Sequence, residues 1–170
     1  MSDDLHAELH AELRLMIERA SEWAGEHFDQ HGEISGVWHA VCADGQQFAI
    51  DQPRGGKDFA ADMVRVLFRA ANVIRCIYID EAWVAFITEK EIDAVERDLA
   101  AGGTLETRPG RQEIVVFSGE DQYGALTAHR VIERPAGGKP YLGPLTIDPL
   151  WSKSRGRLVG VLPRRGQAAH

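Results

Sequence analysis

The run Cys76-Ile77-Tyr78-Ile79-Asp80-Glu81-Ala82-Trp83-Val84-Ala85-Phe86-Ile87 constrains this chain more than any other segment. It is β-branched and aromatic, it contains no glycine or proline, and both of its alternating faces are nearly apolar. A strand of that kind, extending from about Arg75 to Thr88, must lie centrally in a sheet with a layer covering each side. Two segments can supply the layers. From Asp3 to about Gln30, the residues Leu5, Leu9, Leu13, Met16, Ile17, Ala20, Ala24 and Phe28 recur at spacings of three and four and form one helical stripe. Asp3, Asp4 and Glu8 fall in its first turns, where the helix dipole favours acids. A second helix is expected from about Asp58 to Ile74, with Ala60, Met63, Val64, Leu67, Ala71 and Ile74 facing the core and Phe59 and Phe68 widening the stripe.

The remaining elements read as strands and breakers. Val37–Cys42 and Gln47–Ile50 flank Asp44-Gly45, a strong hairpin signal. Pro53-Arg54-Gly55-Gly56 separates that hairpin from the second helix. Thr88 to Ala101 predicts a short charged helix opening on Thr-Glu-Lys-Glu, a capping box, and stopping at Gly102-Gly103. Gln112–Ser118 and Ala125–Glu133 predict two strands joined by Glu120-Asp121-Gln122-Tyr123-Gly124, and Tyr141–Ile147 a last β-prone piece. The expected fold class is therefore α+β: a mainly antiparallel sheet of about five or six strands, with the N-terminal helix and the second long helix packed on it. The order resembles that of profilin-like and roadblock-like modules, a likeness of fold that carries no function. We expect one domain over residues 1–150 and a basic, flexible C-terminal tail over residues 151–170.

Composition sets the function classes. In 170 residues, 44% hydrophobic and 26% charged, a packed core needs no staple. Cys42 and Cys76 follow no secretory leader and predict two reduced, buried thiols in a cytoplasmic protein. No apolar run reaches the ~18 residues of a membrane span. The net charge is −7, yet Ser152–His170 holds five basic residues and no acidic one, so the body is more acidic than the total suggests. Such a body repels phosphate backbones, which makes it a poor nucleic-acid binder, whereas the tail, with Arg155 and Arg157, can touch nucleic acid or an acidic surface.

Catalytic patterns are incomplete throughout. His6/His10 and His27/His31 have the i,i+4 spacing of half a zinc site, but Ala7 and Phe28 stand where a metalloprotease needs glutamate, and no third ligand is near. Neither a metal nor a cofactor is expected. Cys42, Ser118 and His129 are the pieces available for a nucleophilic site, without the Gly-x-Ser-x-Gly elbow. Arg54-Gly55-Gly56-Lys57-Asp58 resembles a phosphate loop, but Asp58 replaces the hydroxyl residue, so a turn with Asp58 as helix cap is expected. The anomaly is Asp80-Glu81 inside the apolar strand. Alternation puts Glu81 on the face of Ile77, Ile79 and Trp83, where a carboxylate is costly unless paired. It is either an acid paired with an arginine or exposed at a strand end, or a ligand-facing acid beside Trp83 with Glu120, Asp121 and His129, suited to a cation or acid–base chemistry.

Ile77-Tyr78-Ile79-Asp80-Glu81-Ala82-Trp83-Val84, Arg111-Gln112-Glu113-Ile114-Val115-Val116 and Gly143-Pro144-Leu145 together resemble a group of bacterial and phage proteins sharing an Asp/Ser-Glu-Ala-Trp strand. The resemblance covers roughly residues 65–145; it implies one compact domain and transfers no catalytic residues. The function expected is a non-enzymatic protein-interaction or assembly module, of phage or mobile-element origin, meeting a partner protein or its own copies, with the acidic body and basic tail speeding association. The alternatives are a small metal-assisted hydrolase using Glu81, Glu120, Asp121 and His129, and a small-ligand sensor. The binding residues expected are Trp38, Trp83, Arg155 and Arg157.

Overall fold

The protein was analysed as a computed structural model, which describes residues 11–85, 89–148 and 160–162. The elements in chain order are α1 (Ala11–His31), β1 (Val37–Cys42), β2 (Gln47–Asp51), α2 (Lys57–Ala70), β3 (Val73–Ala85), a 3-10 turn (Glu89–Glu91), α3 (Ile92–Ala100), a second 3-10 turn (Leu105–Thr107), β4 (Arg111–Asp121), β5 (Ala125–Glu133), β6 (Tyr141–Leu142) and β7 (Thr146–Asp148). The seven strands form one antiparallel sheet in the order β2-β1-β3-β4-β5-β6, with β7 also pairing β5. The α+β class, the hairpin β1–β2 and the central place of β3 agree with the sequence.

The periodicity of α1 is used as read. Leu13, Ile17, Ala20, Ala24 and Phe28 are buried on the sheet face that carries Ile77, Ile79, Val115 and Phe117. Each large side chain so buried stabilises the fold by roughly 1.5–3 kcal/mol. The helix lies close to β4 because residue 119 is glycine: a Cβ there would sit 2.9 Å from Leu13 Cδ1. Arg130, projecting from β5 on the same side, locks the layers together. Its guanidinium donates to the carbonyls of Gly143 (2.6 Å), Leu142 (2.9 Å) and Ser21 (3.0 Å), tying α1 to the segment that starts at β6.

The second face is covered by α2 and, unexpectedly, by part of the tail. Trp38, Ala40, Cys76 and Tyr78 from the sheet pack with Val64 and Phe68 from α2, and with Val161 and Leu162. The Phe68 ring meets Trp38 edge-on, centroids 5.6 Å apart. The tail is therefore not solvated along its whole length; residues 151–159 and 163–170, Arg155 and Arg157 included, lie outside the described set, as do residues 1–10 with His6 and His10. Among the described residues no helix is long and apolar enough to cross a membrane.

Several expectations about α2 and its neighbours need correction. The helix ends at Ala70, not Ile74, because Asn72 takes a left-handed φ of 51° and turns the chain directly into β3, where Ile74 belongs. Its N-cap is Gly56 at φ 95°, with no side-chain cap, rather than Asp58, which lies inside the first turn. Its rotation also differs. Ala60, Ala61, Val64 and Phe68 face the core, while Phe59, Met63, Val66 and Leu67 are 52%, 47%, 69% and 42% exposed. The helix carries more apolar circumference than one sheet face covers, and Phe68, fitted against Trp38, decides which part goes inward. β4 is longer than expected and absorbs Glu120 and Asp121, leaving a tight turn in which Asp121 Oδ1 accepts the amides of Tyr123 (2.8 Å) and Gly124 (3.0 Å). Of the expected capping box, Thr88 lies outside the described residues, and α3 starts at Ile92 without a side-chain cap.

Candidate functional site

The β3–β4 register places the four acid–base candidates. Glu81 stands opposite Val115, and Glu120 stands opposite Cys76. Five residues of β4 separate Val115 from Glu120, an odd number, so the two carboxylates point to opposite faces of the sheet, about 17 Å apart along the strand. His129 stands opposite Val116, on the face of Glu120 but four residues away, about 13 Å. Asp121 is engaged in its turn. The four do not converge on one pocket, and the described residues contain no group of three or more His, Cys, Asp or Glu placed to share a metal ion.

Each acid has a local task instead. Glu81 Oε1 accepts the Ile34 amide at 2.7 Å, just beyond the end of α1. Its neighbour Glu113 is held bidentately by Arg134 at 2.7 and 2.8 Å. Burial pushes the Glu81 carboxyl above its usual range; the Ile34 amide opposes this, Glu113 and Glu33 reinforce it, and Arg134 opposes it. Asp80, on the opposite face, accepts the Tyr78 hydroxyl at 2.8 Å and the Glu81 amide at 2.9 Å. Burial and Asp80 together push the Tyr78 hydroxyl far up. Glu120, itself buried, accepts the backbone N–H groups of Gly160, Val161 (3.0 Å) and Leu162 (3.2 Å), and so fixes the tail segment over Trp38 and Phe68.

The expected binding residues divide. Trp83 is half-buried, with the Arg111 guanidinium 5.4 Å from its ring centroid. Trp38, by contrast, lies between the rings of Phe68 and Tyr78 and is buried in the core. Both cysteines are free and buried as expected, and burial, then Glu120, raises the Cys76 thiol well above its usual value. That disfavours the thiolate a nucleophile requires.

Two surfaces escaped the sequence reading. The first is a cleft of about 540 Å³ between α1 and the β1–β2 hairpin, lined by Arg19, Trp23, His39, Phe48 and Arg75 among others. Trp23 stacks on His27 at 5.0 Å and approaches His39 at 5.3 Å, while His27 and His31 lie 4.3 Å apart. The i,i+4 histidines thus extend an aromatic column, and burial lowers the His39 pKa. The signal in the sequence was Trp23, which lies off the main stripe of α1. The second surface is the outward side of α2, where Phe59, Met63, Val66 and Leu67 join Ile50 and Pro53 around an apolar groove of about 490 Å³. Asp62 and Arg65 form an exposed ion pair of 2.9 Å at its rim.

No protein-family model, curated protein or solved structure matches this chain.

The raised Glu81 carboxyl has a definite pH signature. The folded state holds that proton more tightly than the unfolded state, so stability falls as pH rises from the ordinary carboxylate range through the raised value. Glu81→Gln is expected to remove this loss. In thermal melts the variant should match wild type under acid and exceed it towards neutral pH; a pH-independent difference would contradict the assignment. Glu120→Ala should release the Gly160–Leu162 segment at a cost of about 2 kcal/mol. Tryptic cleavage at Lys153, Arg155 or Arg157 is expected to become on the order of tenfold faster while α1 and the sheet stay folded, as read by circular dichroism. An unchanged cleavage rate would mean that the carboxylate does not hold the tail.

Proposed function

We propose that this chain is a cytoplasmic, non-enzymatic protein-interaction or assembly module that docks through the outer face of α2. The observation that carries the reading is the continuous apolar surface of Phe59, Met63, Val66 and Leu67 beside Ile50 and Pro53. Large apolar side chains exposed singly are ordinary, but a contiguous set on one helix, next to a sheet edge, is the mark of an occupied surface. The engagement of Glu81, Asp80, Glu120 and Asp121 in backbone and side-chain hydrogen bonds adds support, because these acids are already used by the fold. Affinity capture from nuclease-treated lysate tests the reading. Wild-type protein should retain a stoichiometric partner or its own copies, and Met63→Lys with Val66→Lys, both at exposed positions, should retain neither. Equal capture by both proteins would remove α2 from the account.

The second reading, a small-ligand sensor, is favoured by the cleft beside α1. Planar metabolites could stack on Trp23 there and meet Arg19. Titration with such compounds should change the fluorescence of wild type and not of Trp23→Phe; a flat response across nucleotides and aromatic acids would dismiss it.

A further inference from the structure

The outer face of α2 carries a charge pattern that names its occupant. Asp58, Asp62, Arg65 and Arg69 follow one another at spacings of four, three and four, so they form a single row along one flank of the helix. Phe59, Met63 and Val66 lie next to that row on the exposed side. The row is acidic in its N-terminal half and basic in its C-terminal half. It is therefore its own complement when read backwards, and its midpoint falls between Met63 and Val64.

We propose that the partner on this face is a second copy of the chain, with two α2 helices packed antiparallel about a two-fold axis. This rests on the reading of α2 as the docking surface and specifies what docks there. A two-fold axis perpendicular to the helices keeps the same flank on the same side and reverses its direction. Asp58 then meets the partner subunit's Arg69, and Asp62 meets the partner subunit's Arg65, each pair occurring twice. Met63, at the centre, packs against its own copy, and Phe59 falls beside the partner subunit's Leu67. Parallel packing would instead set Asp against Asp and Arg against Arg. The intrahelical Asp62–Arg65 pair is exposed and weak, so exchanging it across the interface costs little. The apolar stripe supplies affinity, and the row of charges supplies register and orientation.

The test is a charge exchange read by sedimentation velocity over a dilution series. Wild type should dimerise reversibly. Asp58→Arg with Asp62→Arg makes the row wholly basic, and Arg65→Asp with Arg69→Asp makes it wholly acidic. Each double variant should weaken self-association on the order of a hundredfold, corresponding to the cost of facing like charges. An equimolar mixture of the two should dimerise again, and the quadruple variant should dimerise alone. Circular dichroism establishes that each variant is folded, and Met63→Lys gives an independent disruption at the centre. A wild type that stays monomeric, or dimers indifferent to all exchanges, would overturn the proposal. If that monomer still captured a lysate protein lost on Met63→Lys with Val66→Lys, the second copy alone would be wrong and the docking surface would stand. If capture were also unaffected, both would fall.

Discussion

The burial of the Cys76–Ile79 stretch of β3 on both faces is the constraint from which the rest of the architecture follows. Ile77 and Ile79 point towards α1, while Cys76 and Tyr78 point towards α2 and the Val161–Leu162 segment. Neither layer can be dispensed with, because a strand apolar on alternate sides has no face to give to water. Its flanking partners are set by the same requirement. β4 pairs with it from Arg75 to Ala85 and β1 pairs with its first half, Val73 to Ile79, and together they widen the two apolar faces to the breadth of a helix. The short outer strands β2, β6 and β7 then finish the sheet without needing equally continuous cores.

The acids embedded in this apolar frame show how a buried carboxylate is tolerated. Glu81, Glu120 and Asp121 each accept backbone amides, and Asp80 accepts both a phenol and an amide. The amides held by Glu81, Asp121 and Glu120 belong to segments that leave regular structure: the exit from α1, the β4–β5 turn and the tail. The carboxylates thus satisfy donors that would otherwise be unpaired near the core, where an unmet amide and an unmet charge are both costly.

What could be read in advance divides along the same physical line. The stripe of α1, the Asp-Gly hairpin and the two-sided strand are local patterns, and each is present where the described residues cover it. The rotation of α2 is not local. Apolar residues surround so much of that helix that periodicity alone could not choose between Met63 and Phe68, and the choice is made by Trp38, reached across the sheet. Strand alternation gave the face on which Glu81 lies, but not the opposite face of Glu120, because the chain between them reverses. The burial of Trp38 was unreadable for a similar reason: a strand pattern assigns a side chain to a face without saying what covers that face. The anchoring of Val161 by Glu120 spans 41 residues and leaves no periodic trace.

The guanidinium of Arg130 has a temporal consequence. It reaches the carbonyl of Ser21 across 109 residues of chain. Chain elongation proceeds at roughly 5–20 residues per second, so Ser21 is synthesised roughly 5–20 seconds before Arg130. Throughout that interval Leu13, Ile17 and Phe28 form an amphipathic helix whose sheet is still incomplete. The full docking of α1 onto the sheet therefore waits for the synthesis of β5.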